Sequence, residues 1–212
     1  MTQSKVIHAS ECVTTLDLLR HGATGDDDIF RGTIDLPLSS KGWQQMEKAV
    51  GDYHAWTFLV SSPLLRCREF ALTLSEKLSI KLLIEPNIKE MNFGRWEGQK
   101  PKEVWEKTPE AMRQFWQDAD LYPPPEGERL SHFQERVMLG LNETLNHYRG
   151  QHGLIVCHGG IIRLIVAHIL SMPLQAAMRI QVPYACVTRL HIYHHEAEPD
   201  VMSLDFHNGQ LK

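Results

Sequence analysis

The feature of this chain that most restricts its fold is the alternation of short apolar runs with longer stretches of helical periodicity. Val13–Leu19 (VTTLDLL) is a β-prone run, and Ser39–Tyr53 reads as a helix, with Ser39 and Ser40 as caps and Trp43, Met46 and Val50 at helical spacing. Thr57–Val60 predicts a second strand, and Ser61-Ser62-Pro63 opens a helix to about Leu78, with Pro63 suited to its first turn. Ile80–Ile84 is a third strand. Glu128–Tyr148 is a long helix whose core face is Leu130, Phe133, Val137, Leu141, Leu145 and Tyr148. Gly153–Cys157 is wholly apolar and runs straight into His158-Gly159-Gly160, then a helix over Ile161–Leu170 closed by Met172-Pro173. Two late strands, Ala185–Tyr193 and Val201–Phe206, complete the count. Strands alternating with helices predict an α/β fold, a three-layer α/β/α sandwich around a mostly parallel sheet.

Between the third strand and the long helix the pattern changes. Residues 88–127 hold Trp96, Trp105 and Trp116, an amphipathic helix at Lys102–Gln117 and a proline-rich bend at Tyr122–Gly127. That is too long for a plain connection. It predicts a lid insertion over the sheet edge within one domain spanning the 212 residues.

Composition narrows the function classes. Apolar residues make up 42% and charged residues 23%, an ordinary globular mix that excludes disorder. A net charge of −4 without a long basic run argues against nucleic acid as partner. Met1–Cys12 lacks the apolar core of a secretory signal, and Ile161–Leu170 is far below spanning length and holds Arg163 and His168, so no membrane is expected. Cysteines at 12, 67, 157 and 186 have no paired spacing, which predicts lone thiols in a reducing cytoplasm.

Open α/β sheets bind ligands at the carboxyl ends of their strands. Two histidines fall at such ends, His21 and His158, and each is followed by glycine, Gly22 or Gly159-Gly160. Glycine lets the backbone turn sharply and present N–H groups to an anion. Arg20 adjoins His21, and the turn Ser61-Ser62-Pro63 brings in Arg66. Two imidazoles, two guanidinium groups and free backbone N–H groups at one edge suit a phosphoryl group, whose oxygens arginine holds bidentately. A neutral imidazole among such cations can attack phosphorus in line, and Arg20 should keep its pKa low. A carboxyl must then protonate the leaving alkoxide and later deprotonate water. Glu90, just past the third strand, is the best-placed candidate.

Four segments in series, Arg20-His21-Gly22-Ala23-Thr24, Ser61-Ser62-Pro63-Leu64-Leu65-Arg66-Cys67, Glu90-Met91-Asn92-Phe93-Gly94-Arg95-Trp96-Glu97-Gly98 and His158-Gly159-Gly160, resemble in order and spacing the histidine phosphatase (phosphoglycerate mutase-like) superfamily. The resemblance spans residues 13 to 206 or so and looks like its phosphatase branch. It implies His21 as phosphorylated nucleophile, Glu90 as proton donor and acceptor, and Arg20, Arg66 and His158 around the phosphate. It implies neither metal nor cofactor, and a small-molecule phosphomonoester as partner. The alternatives are a phosphoglycerate-type mutase, a broad-specificity phosphatase or a non-catalytic phospho-ligand binder. Phe30–Ser39 with Gly42-Trp43 is worded much as in the superfamily's α-ribazole-5′-phosphate phosphatase group.

The chain departs from the family pattern in places. Ala23 stands where many relatives have Glu, and their phosphate-holding asparagine falls within Gly25-Asp26-Asp27-Asp28. Arg31 is expected to replace that contact, with Gly32 and Gly159 as further substrate contacts. Gly127-Glu128-Arg129 replaces the relatives' Gly-Glu-Ser. Trp105, Phe115 and Trp116 could stack an aromatic base, although packing of the lid is the expected role. His191, His194 and His195 read as exposed strand-end histidines rather than a metal set. Asn142-Glu143-Thr144 is a glycosylation sequon by spelling only.

Overall fold

A computed structural model describes residues 12–25 and 29–211. Six strands, β1 (Cys12–Arg20), β2 (Phe58–Ser61), β3 (Lys81–Ile84), β4 (His152–Cys157), β5 (Val187–His194) and β6 (Val201–His207), form one sheet in the order β3-β2-β4-β1-β5-β6. The first four are parallel, while β5 runs antiparallel to β1 and β6 antiparallel to β5. The helices are α1 (Ser40–Val50), α2 (Leu65–Leu78), α3 (Pro101–Lys107), α4 (Pro109–Gln117), α5 (Leu130–His147) and α6 (Gly159–Ile169).

Alternation along β1 divides the core. Leu16 and Leu18 join α5, α6 and residues of the 88–119 segment, including Trp96, Met112 and Phe115. Leu19 joins Met46 and Val50 of α1 and Phe70, Ala71 and Leu74 of α2. Apolar side chains at period two on the strands thus bury against stripes at helical period on both faces, giving the expected three layers.

Several predicted boundaries are corrected. The single helix over Lys102–Gln117 is two helices meeting at Thr108, whose φ of −138° and ψ of 61° are non-helical. Pro109 causes this, since its ring disfavours the helical region for the preceding residue while suiting position one of α4. Pro63 lies before α2, which starts at Leu65 behind Leu64. α6 starts at Gly159 instead of Ile161, so both glycines sit in its first turn. His194 is buried, not exposed: its Nδ1 lies 2.6 Å from Asp200 Oδ2 and its Nε2 2.6 Å from Thr14 Oγ1. No described helix is long and apolar enough to cross a membrane. Met1–Glu11 and Asp26–Asp28 lie outside the described residues, and with them most of the N-terminal segment and the acidic run.

Candidate active site

Sheet register assembles the site. β4 is inserted between β1 and β2, with Arg20 opposite Cys157 and Ser61 opposite Val156. The next residues, Ser62, His158 and His21, therefore leave the sheet side by side, and His21 N–H still donates to Cys157 O at 3.0 Å. The His21 and His158 rings stand 5.2 Å apart, edge to face at 64°. Gly22 turns the chain where no side chain fits, because a Cβ there would come within 2.2 Å of Gly42 O.

His21 is 3% exposed and its Nδ1–H donates to Gly22 O at 2.8 Å. A carbonyl can only accept, so the neutral ring carries its proton on Nδ1 and keeps the Nε2 lone pair available. Burial, then Arg66, Arg20 and Arg31, hold its pKa well below 6.5 against the opposing Gly22 bond. The depression attributed to Arg20 from sequence therefore comes first from desolvation and Arg66. His158, fully buried, is likewise held well below its ordinary value by burial, Arg66, His21 and Arg20. Its Nε2 pairs with Ser62 Oγ at 2.7 Å.

Arg66 is fully buried on α2, its terminal nitrogens donating to Gly32 O and Ile34 O at 2.7 Å each. Gly32 adopts a φ of +47°, where a Cβ would strike Glu97. Arg31, 8% exposed, donates from Nη1 to Tyr184 Oη at 3.3 Å. Arg20 donates to Val182 O and stacks on Tyr184. Nε of Arg20 and of Arg66 is buried with no acceptor among the described residues. A buried charged donor without an acceptor is costly, and an anion between the two arginines would supply one.

Glu90 faces this cluster from the segment after β3. Its Oε2 accepts Gly160 N–H at 3.0 Å and its Oε1 accepts Met91 N–H at 2.9 Å. Gly160 has to be glycine for that approach, since a Cβ would lie 2.2 Å from Glu90 Oε1. Gly159 lies against Arg20, with room for a Cβ 3.4 Å from Nε. An apolar recess with room for about two waters, about 30 Å³, adjoins Glu90 and Gly160 between Phe93, Phe133 and Leu164. A wider concavity runs instead along α1 and shares only Tyr184 with this cluster.

All eight residues singled out from sequence, His21, Glu90, Arg20, Arg66, His158, Arg31, Gly32 and Gly159, meet at this edge. The aromatics of the 88–127 segment do not: Phe115 is buried against Trp96, while Trp105 and Trp116 are 45% and 54% exposed. Three contributors were missed. Ser62, in sequence part of a turn and of a family segment, carries no role there, yet its hydroxyl meets His158. Tyr184 enters because β5 is antiparallel, which brings its start to the edge where the parallel strands end. Arg136 on α5 grips Glu128 and donates to the carbonyls of Asn87, Lys89 and Glu90, fixing the Glu90 backbone. The position where the relatives' serine is absent thus sits beside a structural carboxylate.

Comparison with known proteins gives the family. Residues 16–205 match the model of the Histidine phosphatase superfamily (branch 1). The "Metal-independent phosphoserine phosphatase" of Arabidopsis thaliana is 31% identical over 74% of this chain and 69% of its own length. The "Adenosylcobalamin/alpha-ribazole phosphatase" of Escherichia coli is 26% identical over 82% of this chain and 88% of its own. The chain spans about half the length of the mycobacterial relatives it matches at 30% identity, among them the "Bifunctional protein Rv2228c" of Mycobacterium tuberculosis. The solved "Mycobacterial hydrolase 2" superposes with a TM-score of 0.83 at 22% identity, over 95% of this chain and 93% of that one. With its motifs, its sheet order and its paired histidines, the chain belongs to the histidine phosphatase superfamily, branch 1.

Proposed function

We propose that the protein is a metal-independent phosphomonoester hydrolase working through a phosphohistidine, with residues 88–127 as a lid insertion of its single domain. The observation that carries this reading is the buried, proton-free Nε2 of His21 beside two guanidinium groups whose Nε atoms lack acceptors among the described residues. His21 Nε2 attacks phosphorus in line, forming the N–P bond as the ester P–O bond breaks. Arg20, Arg31, Arg66 and His158 take up charge on the non-bridging oxygens. Glu90 gives its proton to the departing alkoxide, then removes one from the water that attacks the phosphohistidine, returning His21 neutral and releasing phosphate. The first carbons of the alcohol leave toward the recess beside Glu90.

For the ester itself we infer α-ribazole 5′-phosphate, in cobalamin nucleotide-loop assembly. This rests on the wording of Phe30–Ser39 and Gly42-Trp43, a segment that contributes Arg31 and the carbonyls holding Arg66, and on the Escherichia coli relative. Thiols held inside the fold at Cys67, Cys157 and Cys186 fit work in the cytoplasm.

The test is turnover of p-nitrophenyl phosphate in EDTA. His21→Ala should lower kcat at least about 10⁴-fold and abolish acid-labile labelling of the protein. Glu90→Gln should slow decay of the labelled form; an unchanged kcat would move the acid–base role elsewhere. Phosphate transferred to a second substrate instead of water would favour a mutase. Ranking α-ribazole 5′-phosphate against phosphoserine, 3-phosphoglycerate and sugar phosphates by kcat/KM decides the ester, and the reading fails if α-ribazole 5′-phosphate does not lead.

A further inference from the structure

The turn from Val182 to Cys186 takes no part in the chemistry above, yet it clasps the nucleophile segment throughout. Arg20 N–H donates to Cys186 O at 3.0 Å, and Arg20 Nη1 to Val182 O. Ala185 N–H reaches His21 O at 3.4 Å. Tyr184, half-buried at the centre of this turn, meets three groups of the pocket. Arg20 Cζ stands 4.2 Å from its ring centroid, the His21 ring centre is 5.8 Å away, and its hydroxyl accepts Arg31 Nη1 at 3.3 Å. Ala185, the next residue, holds a φ of 55°, a conformation rare for a residue with a Cβ. Backbone strain of this kind persists where the surroundings over-determine it, and here four hydrogen bonds and two ring contacts do so.

We propose that Tyr184 is a positioning residue for phosphate recognition, its ring setting the plane of Arg20 and its hydroxyl the direction of Arg31. The two contacts act by different physics. A guanidinium over an aromatic face is held flat by the ring quadrupole, whereas a phenol oxygen fixes one N–H direction. Both matter, because an arginine binds phosphate well only when its planar fork already faces the oxygens. An unanchored arginine would lose rotamer freedom on each binding event, and a pre-set one does not. Arg66 needs no such help, being tied to Gly32 O and Ile34 O.

The proposal rests on the phosphatase reading only in its kinetic arm, so inorganic phosphate is titrated calorimetrically into wild type, Y184F and Y184L before any turnover is measured. Y184L should weaken phosphate at least about tenfold and raise KM for p-nitrophenyl phosphate more than it lowers kcat. Y184F, which keeps the ring over Arg20, should lose only about threefold. Among the described residues, the groups facing His21 are Arg20 from β1, Arg31 from the following loop, Arg66 from α2, His158 at the head of α6, Glu90 after β3, and Tyr184 itself. Release of Arg20 in Y184L should move the acid limb of kcat/KM to higher pH, and Y184F should restore it; a role in packing alone would scale activity equally at every pH. If Y184L does not fold, a double-mutant cycle decides: the Y184F effect on phosphate affinity should vanish in an R31A background. Additive losses in that cycle, or phosphate affinity within twofold of wild type in folded Y184L, would overturn the proposal. Wild type that binds phosphate but turns nothing over would instead defeat the phosphatase reading and leave this one testable.

Discussion

β1 and the residue that follows it carry two buried ionic clusters, four residues apart at Asp17 and His21, and they differ in how completely they are closed. Around Asp17, fully buried, Arg189 donates twice at 2.8 and 2.9 Å, His152 once at 2.9 Å and Trp56 once at 2.8 Å. Burial by itself would push the Asp17 pKa up, but the bonds from His152, Arg189 and Trp56 outweigh it and hold the carboxyl below its usual range. Around His21 gather three guanidinium groups, a second imidazole and the Glu90 carboxylate, and Nε of Arg20 and Arg66 has no acceptor among the described residues. A network whose donors and acceptors match needs nothing from outside. One that is cationic and unfinished is built for an anion. The same strand therefore holds a bolt at Asp17 and a receptor at its tip, and the hydrogen-bond balance tells them apart.

The sharpest way to break this contrast is Asp17→Ala. It strands Arg189, His152 and the Trp56 indole without their acceptor, and removing one partner of a buried pair costs about 3–5 kcal/mol. In a chain of this size the melting temperature should fall by roughly 6–20 °C, while phosphate affinity of the protein that remains folded stays near wild type. A small shift in melting temperature would mean that the Asp17 network is a passive ornament of the sheet, and the comparison would lose its first half.

Titration sharpens the second half. Because the folded pKa values of His21 and His158 lie well below 6.5, the unfolded chain binds protons there that the folded chain refuses. Stability from this source is present above pH 6.5 and is lost as pH falls below it, at up to about 1.4 kcal/mol per pH unit for each imidazole. Chemical unfolding at pH 7.5 and 5.5 measures the slope, and a His21→Gln/His158→Gln variant should flatten it. Saturating phosphate should flatten it too, since a dianion between the rings favours their charged forms. An unchanged slope in the double variant would mean that water reaches both rings freely.

How much of this could be read beforehand follows the range of the interactions. Segments such as Gly153–Cys157 with His158-Gly159-Gly160 declare themselves, because a fully apolar run that stops at a histidine and two glycines satisfies local rules for strand, turn and helix start at once. Asp17 within VTTLDLL is a signal that a cation must come to it, but nothing nearby in sequence says that Arg189, 172 residues on, is that cation. Tyr184 is harder still. Its place at the site depends on β5 running against β1, and strand direction is decided by connections and packing that no local pattern encodes. Thr108-Pro109 was legible and overlooked, as an apolar period running through it masked the proline. His194 was read as exposed from its place near a strand end, whereas Thr14 and Asp200, met only through the fold, bury it.

The mildest test concerns the turn that carries Tyr184. Asp17 and its partners Trp56, His152 and Arg189 hold ordinary backbone conformations, whereas Ala185, against the nucleophile, sits at a φ of 55°. A residue with a Cβ in that region costs about 1 kcal/mol, which glycine avoids, though glycine also gives the unfolded chain more freedom to lose. The two effects leave Ala185→Gly with a net gain of no more than about 1 kcal/mol, seen as a rise of roughly 2–4 °C or less in melting temperature. The same change loosens the turn, so phosphate affinity should weaken slightly as Tyr184 gains freedom. Stability rising while affinity falls would locate the strain in the receptor and not in the bolt. If both rose together, the left-handed alanine would be an accident of the loop with no part in holding the arginines.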